Sequence, residues 1–242
     1  MTLAGYTDIG YKYEENQDCY RAGKISDSLG WMLLCDGMGG LSNGKMASHI
    51  AVDVVSSAMN EELLNYVTPD DKAEYMSKIC QNANRAVFDA SVKTGSNQMM
   101  GTTLILAIVD GLDATIFHCG DSRVYHYRRR TLKQLTKDHS YVQELIDAGK
   151  ITDEEAMRHP QKNIITRALG IEPRIIFDVI QLRLARNDIL MMCSDGLSNQ
   201  VTQETMLSVF RYNDFYRVPR LLVEAGLETG GFDNITTVMM QV

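Results

Sequence analysis

Five aspartates stand at the edges of apolar runs, and acids so placed could hold metal ions. Trp31 to Cys35 (WMLLC) ends at Asp36, followed by Gly37, Gly39 and Gly40, and Ile189 to Cys193 (ILMMC) ends at Ser194, Asp195 and Gly196. Asp121 follows ATIFHCG, Asp233 comes just before ITTVMMQV, and Asp18 sits beside the run that starts at Cys19. Carboxylates brought together by separate strands repel by roughly 4 kcal/mol at 4 Å and an effective dielectric near 20, unless a cation lies between them. Oxygen ligands of this kind select Mg²⁺ or Mn²⁺ over zinc or copper. Neither the five cysteines nor the five histidines show zinc-ligand spacing.

Asp-Gly by itself carries little weight. Asp110-Gly111 has the same dipeptide as Asp36-Gly37, but its spacing between two β-rich runs is that of a hairpin turn. A nucleotide-binding reading of Gly39-x-x-x-x-Gly44-Lys45 fails at Met46, where a hydroxyl should hold Mg²⁺. It also needs parallel βαβ units, whereas this chain offers consecutive hairpins.

The elements that must position these acids can be read from periodicity. Residues 3–9 and 17–25 are β-like, and 44–67 has helical spacing through Ala47, Ile50, Ala51, Val54, Ala58 and Met59. Thr68-Pro69-Asp70-Asp71 then caps a second helix running to about Val92. Hairpins follow at 102–119 and 124–135, with Arg128 to Arg130 as a solvated tip. Ser140 to Ala148 is a short helix stopped by Gly149, Thr152 to Glu155 is a capping-box candidate, and Asn163 to Leu169 makes another turn. These short pieces suggest a mobile flap over about 140–170. Strands at 174–184 and 188–194, helices at 202–211 and 217–228, and a strand at 235–242 complete the chain.

The 242 residues, 45% hydrophobic, suit a single domain spanning 1–242. A formal charge of −7 argues against general nucleic-acid or anionic-membrane binding. No signal pattern and no apolar stretch near the ~20 residues of a membrane span is present. Cys35, Cys119 and Cys193 lie inside apolar runs as small hydrophobes, so the expected setting is a reducing cytoplasm.

In order along the chain, TDIG and ENQD (7–18), DGMGG (36–40), GTT (101–103), GDSR (120–123), KDHS (137–140), NIITRALG (163–170), SDGL (194–197) and DNIT (233–236) resemble the metal-dependent serine/threonine protein phosphatases, type 2C, in their compact bacterial form. The resemblance implies an α+β fold: a four-layer α-β-β-α sandwich of two antiparallel sheets flanked by helix pairs, with a short helical flap. It implies two Mn²⁺ or Mg²⁺ ions bridged by Asp36, one of them bound by the Gly37 carbonyl. Asp195 and Asp233 would hold the first ion, Asp18 would serve the second, and Asp121 would be associated with a weaker third. It also implies hydrolysis of phosphoserine and phosphothreonine by attack of a metal-bridging hydroxide, on phosphoproteins that are substrates of a cognate serine/threonine kinase. A cytoplasmic monomer is expected.

Departures from the family pattern fall near the substrate side. Tyr13 stands where many members have a phosphate-clamping arginine, a bidentate role that tyrosine cannot copy, and neighbouring Lys12 could substitute as a point charge. Met38 replaces the histidine general acid of the animal enzymes, and Leu41 and Lys45 replace residues often seen in bacterial loops. The missing arginine motivates an alternative: a catalytically weak, phosphoprotein-binding regulatory module of the same fold. His139 and His159 flank helix boundaries and are read as structural.

Overall fold

In the computed structural model, residues 1–39, 43–59, 61–66, 68–94 and 100–242 are described; Gly40 and Leu41, named above, and position 67, the expected end of the first helix, lie outside the described residues. The chain opens with β1 (Thr2–Asp8), β2 (Asp18–Lys24) and β3 (Leu29–Met38), then α1 (Asn43–Ala58) and α2 (Pro69–Thr94). Next come β4 (Gly101–Thr102), β5 (Leu104–Asp110), β6 (Asp113–Cys119), β7 (Arg123–Arg128) and β8 (Thr131–Gln134). Two short helices, α3 (Tyr141–Asp147) and α4 (Asp153–Met157), precede β9 (Asp178–Arg183) and β10 (Ile189–Cys193). The last elements are α5 (Asp195–Ser198), α6 (Gln203–Tyr212), α7 (Val218–Glu228) and β11 (Ile235–Gln241).

All strand pairs are antiparallel, in one sheet ordered β1-β11-β10-β7-β8 and another ordered β2-β3-β5-β6-β9, with β4 added beside β3. Strict alternation along buried strands sorts side chains into three apolar layers. Trp31, Leu33 and Cys35 of β3 pack against Ala47, Ala51 and Val55 of α1 and against Met76, Ala83 and Val87 of α2. Met32 and Leu34 face the opposite way and meet Leu190, Met192, Val238 and Met240 between the sheets. Met191, Cys193 and Met239 then cover α6 and α7 through Met206, Phe210, Leu222 and Val223. A strand buried on both faces has no polar positions to spare, which is why WMLLC and ILMMC read as unbroken apolar runs. This is the expected four-layer α-β-β-α sandwich.

Local differences from the sequence reading have physical reasons. The apolar spacing beyond Ala58 belongs to Met59 and Leu63, which are buried in the same layer as α1, but a 3₁₀ turn at Glu61–Asn65 carries the backbone there. Residues 163–169 form no helical turn; they make bridges between Ser140 and Ile165 and between Thr102 and Leu169. β9 starts four residues later than expected, because the Ile175 carbonyl is taken by the Gln81 side chain instead of a neighbouring strand. At the arginine tip, Arg129 and Arg130 both have positive φ, 49° and 64°, forming the two-residue turn, while Arg128 folds back in a bidentate pair with buried Asp188. The Thr152–Glu155 capping box is present, and Gly149 has φ 65° after α3. No helix among the described residues is long and apolar enough to cross a membrane.

Candidate metal centre

The alternation that buries β3 also aims its acid. Asp36 follows Met32 and Leu34 on the inter-sheet side, so its carboxylate lies at the end of the layer between the sheets. Asp18 is its register partner on β2. Asp121 sits in the connection that carries the chain from β6 of one sheet to β7 of the other, Asp195 opens α5 directly after β10, and Asp233 precedes β11. Both sheets therefore deliver acids to one end of the sandwich. Asp36 feels the charges of Asp18, Asp195, Asp121 and Asp233 together.

The backbone here is held independently of those carboxylates. The Asp36 N–H donates to Thr103 Oγ1 (2.9 Å), and the Asp36 carbonyl accepts from Thr103 N (2.8 Å) and Thr102 Oγ1 (2.9 Å). Gly37 N donates to the Gln17 carbonyl at 3.1 Å. A Cβ on Gly37 would stand 2.1 Å from the Gly44 carbonyl oxygen, so only glycine lets β3 approach the start of α1 so closely.

Burial raises every one of the five acids. Asp18 is pushed up to about 6, against lowering hydrogen bonds from Thr236, Ser194 and Asp36, and Asp121 to about 7, with the Asp138 charge adding to burial. Asp36 and Asp195 rise well above the usual carboxylate range, from burial first and from neighbouring acids second, and burial raises Asp233. One oxygen of Asp18 is fully used: Oδ2 accepts from Ser194 Oγ (2.7 Å) and Thr236 Oγ1 (2.6 Å). Thr236 is in turn supported by Thr7 (2.6 Å), and Thr7 accepts from Asn16 Nδ2 (2.9 Å). The other oxygen, Asp18 Oδ1, has no partner, and neither has Asp121 Oδ1. Buried carboxylates with idle oxygens and mutual repulsion are costly unless something positive enters. An all-oxygen donor set with two orphaned oxygens fits hard divalent cations such as Mg²⁺ or Mn²⁺.

The loop that leads into Asp18 is fastened to the other side of the centre. Asn234 accepts from Gln17 N through Oδ1 (2.7 Å) and donates from Nδ2 to the Ile9 carbonyl (2.7 Å). Tyr11 N donates to the Gly231 carbonyl (2.8 Å), and Gly10, at φ 73°, lies so near Asp233 that a Cβ would meet its carbonyl at 2.2 Å. This clamp carries Lys12, whose Nζ donates to Tyr13 Oη at 3.0 Å and lies 4.7 Å from the Tyr13 ring centroid. The Tyr13 hydrogen bond raises Lys12, with smaller contributions from Asp233 and Asp195. Lys12 is therefore a cation within electrostatic reach of two acids of the centre.

Sequence reasoning did not single out Ser194, Thr236, Thr103 or Asn234. The signal was available in the small polar residues that sit beside each acid, in SDGL, DNIT and GTT. His118, His139 and Asp178 form a second grouping of metal-capable atoms. There, His118 Nε2 donates to the Ser122 carbonyl (2.9 Å), while His139 Nδ1 accepts from Gly120 N (3.0 Å), which leaves the His139 proton on Nε2. That nitrogen faces Asp178 Oδ2 (3.3 Å) and the Arg167 guanidinium (2.9 Å), itself paired with Asp178 at 2.7 Å. A cation already occupies this position, so the grouping is a structural knot behind the Gly120–Asp121 turn. Burial lowers both histidines, His118 to about 3, so they stay neutral. His159 accepts from Gln161 N (3.2 Å) in a local turn.

A family model described as Protein phosphatase 2C matches residues 11–221. The serine/threonine phosphatase stp of Listeria monocytogenes is 34% identical over 236 residues, covering 97% of this chain and 93% of that protein. The structure of a Streptococcus agalactiae serine/threonine phosphatase superposes with a TM-score of 0.91 at 30% identity, over 100% of this chain and 99% of the other. The catalytic domain of the serine/threonine protein phosphatase PstP, in complex with two manganese ions, gives a TM-score of 0.84 at 30% identity, over 98% and 96% of the two chains.

Proposed function

The chain belongs to the protein phosphatase 2C family and is a metal-dependent phosphoprotein phosphatase, and from that premise we propose how its own residues divide the work. Its cofactors are two Mn²⁺ or Mg²⁺ ions. Asp36 and the Gly37 carbonyl would contribute oxygens that hold them. Asp195 and Asp233 would help to hold one ion, Asp18 would serve a second through its unpartnered Oδ1, and Asp121 would serve a weaker third. What carries this assignment is the convergence of five acids raised by burial with unpartnered oxygens on Asp18 and Asp121. Ions bound there would supply Lewis acidity that lowers the pKa of a water and neutralises phosphoryl charge.

The protein's share is orientation and charge. Ser194 and Thr236 fix Asp18 Oδ2 and leave Oδ1 without a hydrogen-bond partner. Thr102 and Thr103 lock the Asp36 backbone. The Asn234 clamp holds Lys12 beside the centre, where its ammonium meets the incoming phosphate monoester as a point charge, oriented by Tyr13. Met38 has no proton to give, so the leaving serine or threonine oxygen takes its proton from water.

Residues 1–242 are read as one catalytic domain, with 140–170 as a flap beside the substrate, acting as a cytoplasmic monomer against a serine/threonine kinase. Purified protein with Mn²⁺ is expected to hydrolyse p-nitrophenyl phosphate and a phosphothreonine peptide, EDTA to stop it, and Asp36→Ala or Asp195→Ala to abolish it. Turnover no greater than that of these variants would leave the second reading, motivated by Tyr13: a module that binds phosphoproteins without hydrolysing them.

A further inference from the structure

A groove of about 900 Å³ runs between the middle of α2 and residues 166–176, apart from the acid cluster. Its wall is preformed. Asn84, fully buried on α2, donates to the Glu172 carbonyl (2.9 Å) and accepts from Gly170 N (2.9 Å), and Gln81 holds the Ile175 carbonyl. Gly170 has φ 85°, and a Cβ there would stand 2.4 Å from Val87, so the segment is seated closely on α2. A groove that needs no ordering on binding keeps more of its contact energy.

The lining is amphipathic and cationic, in a chain of net charge −7. Arg85, Arg167 and Arg174 face it, against one lining carboxylate, Glu172. Arg167 is committed to Asp178. Arg85 is held by Asp89 through Nε alone (2.9 Å), and Arg174 makes no ion pair among the described residues. Beside these guanidiniums lie Ile171 and Ile176, which are 41% and 77% exposed. Guanidiniums with free N–H groups next to bare aliphatic side chains match a peptide in which acidic and aliphatic residues alternate.

The groove also connects to the reaction site. Leu169 exchanges backbone hydrogen bonds with Thr102 (3.2 and 2.9 Å), and Thr102 Oγ1 donates to the Asp36 carbonyl. We propose that this groove docks an acidic, aliphatic-bearing segment of the phosphoprotein substrate, separate from the phosphorylated residue. The proposal rests on the phosphatase reading. Docking raises the effective concentration of the phosphorylated residue at the centre, so it lowers KM and leaves kcat alone.

The test compares two phosphothreonine peptides of equal length, one extended by alternating Glu and Leu and the other by Gln and Ser, with p-nitrophenyl phosphate as a control too small to reach the groove. Wild-type protein is expected to show a KM about fivefold lower for the acidic peptide, since a pair of exposed ion pairs supports about that ratio. The double variant Arg85→Ala, Arg174→Ala should erase the difference, as should 0.5 M NaCl, while p-nitrophenyl phosphate kinetics stay unchanged. Equal KM values for the two peptides, or a difference that survives in the double variant, would overturn the docking site. Loss of metal-dependent p-nitrophenyl phosphate turnover in wild-type protein would instead strike the phosphatase reading. In that event, fluorescence anisotropy of the labelled acidic peptide without its phosphate decides the docking site: binding weakened severalfold in the double variant supports it, and identical binding refutes it.

Discussion

Replacing Asp36 by asparagine should stabilise the metal-free protein and destabilise the metal-loaded one. Asp36 and Asp18 are register partners on adjacent antiparallel strands, where opposed Cα atoms lie about 4.5–5.5 Å apart. At about 5 Å and an effective dielectric near 20, two carboxylates repel by about 3 kcal/mol, and Asp195, Asp121 and Asp233 add to that. The folded pKa of Asp36 is raised, so the folded state holds its proton more tightly than the unfolded chain does. The group therefore costs nothing below the ordinary carboxylate range and costs progressively more as pH climbs towards its folded value. Asparagine keeps the shape, removes the charge and leaves the Thr102 and Thr103 contacts, which involve only the Asp36 backbone. Uptake of a proton relieves part of the repulsion, so a net gain of about 2 kcal/mol is expected at pH 8. In a chain of this size that is a rise in Tm of about 4–8 °C. At pH 4 the gain should vanish. With Mn²⁺ at a hundred times its dissociation constant, wild-type protein gains about 2.7 kcal/mol that the variant lacks, and the order of stabilities inverts. Calorimetry at pH 4 and pH 8, in EDTA and in Mn²⁺, reads all four corners. A variant that melts below wild type in EDTA at pH 8, or that gains as much as wild type from Mn²⁺, would refute the placement of Asp36 at the heart of a cation site.

Asp195→Ala and Asp233→Ala should each reduce Mn²⁺-dependent turnover of p-nitrophenyl phosphate to the level seen in EDTA, and should remove the Mn²⁺-induced rise in Tm. Lys12→Ala should raise KM for p-nitrophenyl phosphate about tenfold with kcat within threefold, as loss of uniform substrate binding does; Tyr13→Arg should lower KM, and an unchanged value would mean another residue holds the phosphate. Gly37→Ala places a methyl 2.1 Å from the Gly44 carbonyl and should cost about 3 kcal/mol, read as a Tm lower by about 6–12 °C. Metal-free wild-type protein should lose stability from pH 4 to pH 8, because Asp18 and Asp121, at about 6 and about 7, are both raised above their unfolded values. Chemical denaturation at several pH values checks the direction.

The apolar runs before Asp36 and Asp195 were legible because strands covered on both faces leave a continuous signature, and the acids were legible because charge at the end of such a run is anomalous. Which face Asp36 takes also follows from counting in twos from Met32. The supporting polar residues were harder to find. Thr236 and Ser194 reach Asp18 across more than 170 residues, and small hydroxyl residues are common for many other reasons. The arginine-lined groove was invisible for a different cause: its halves come from the middle of a helix and from a strap whose course is set by Asn84 and Gln81, not by its own periodicity. Arg128 misled because a charge run at a hairpin looks solvated until its partner, Asp188, is known.

The pairing of β1 with β11 has a consequence for how the molecule comes into being. Residues 2–8 wait for residues 235–241, and Asn234 closes on Ile9 and Gln17 at the same moment. Contacts so distant in sequence make folding slow. During synthesis, the strand that lies between β1 and β10 is made after both of its neighbours, and Asp233 emerges with it. A nascent chain therefore carries Asp18, Asp36, Asp121 and Asp195 before Asp233, so on the proposed assignment the acid cluster is assembled as one late event instead of accumulating along the ribosome.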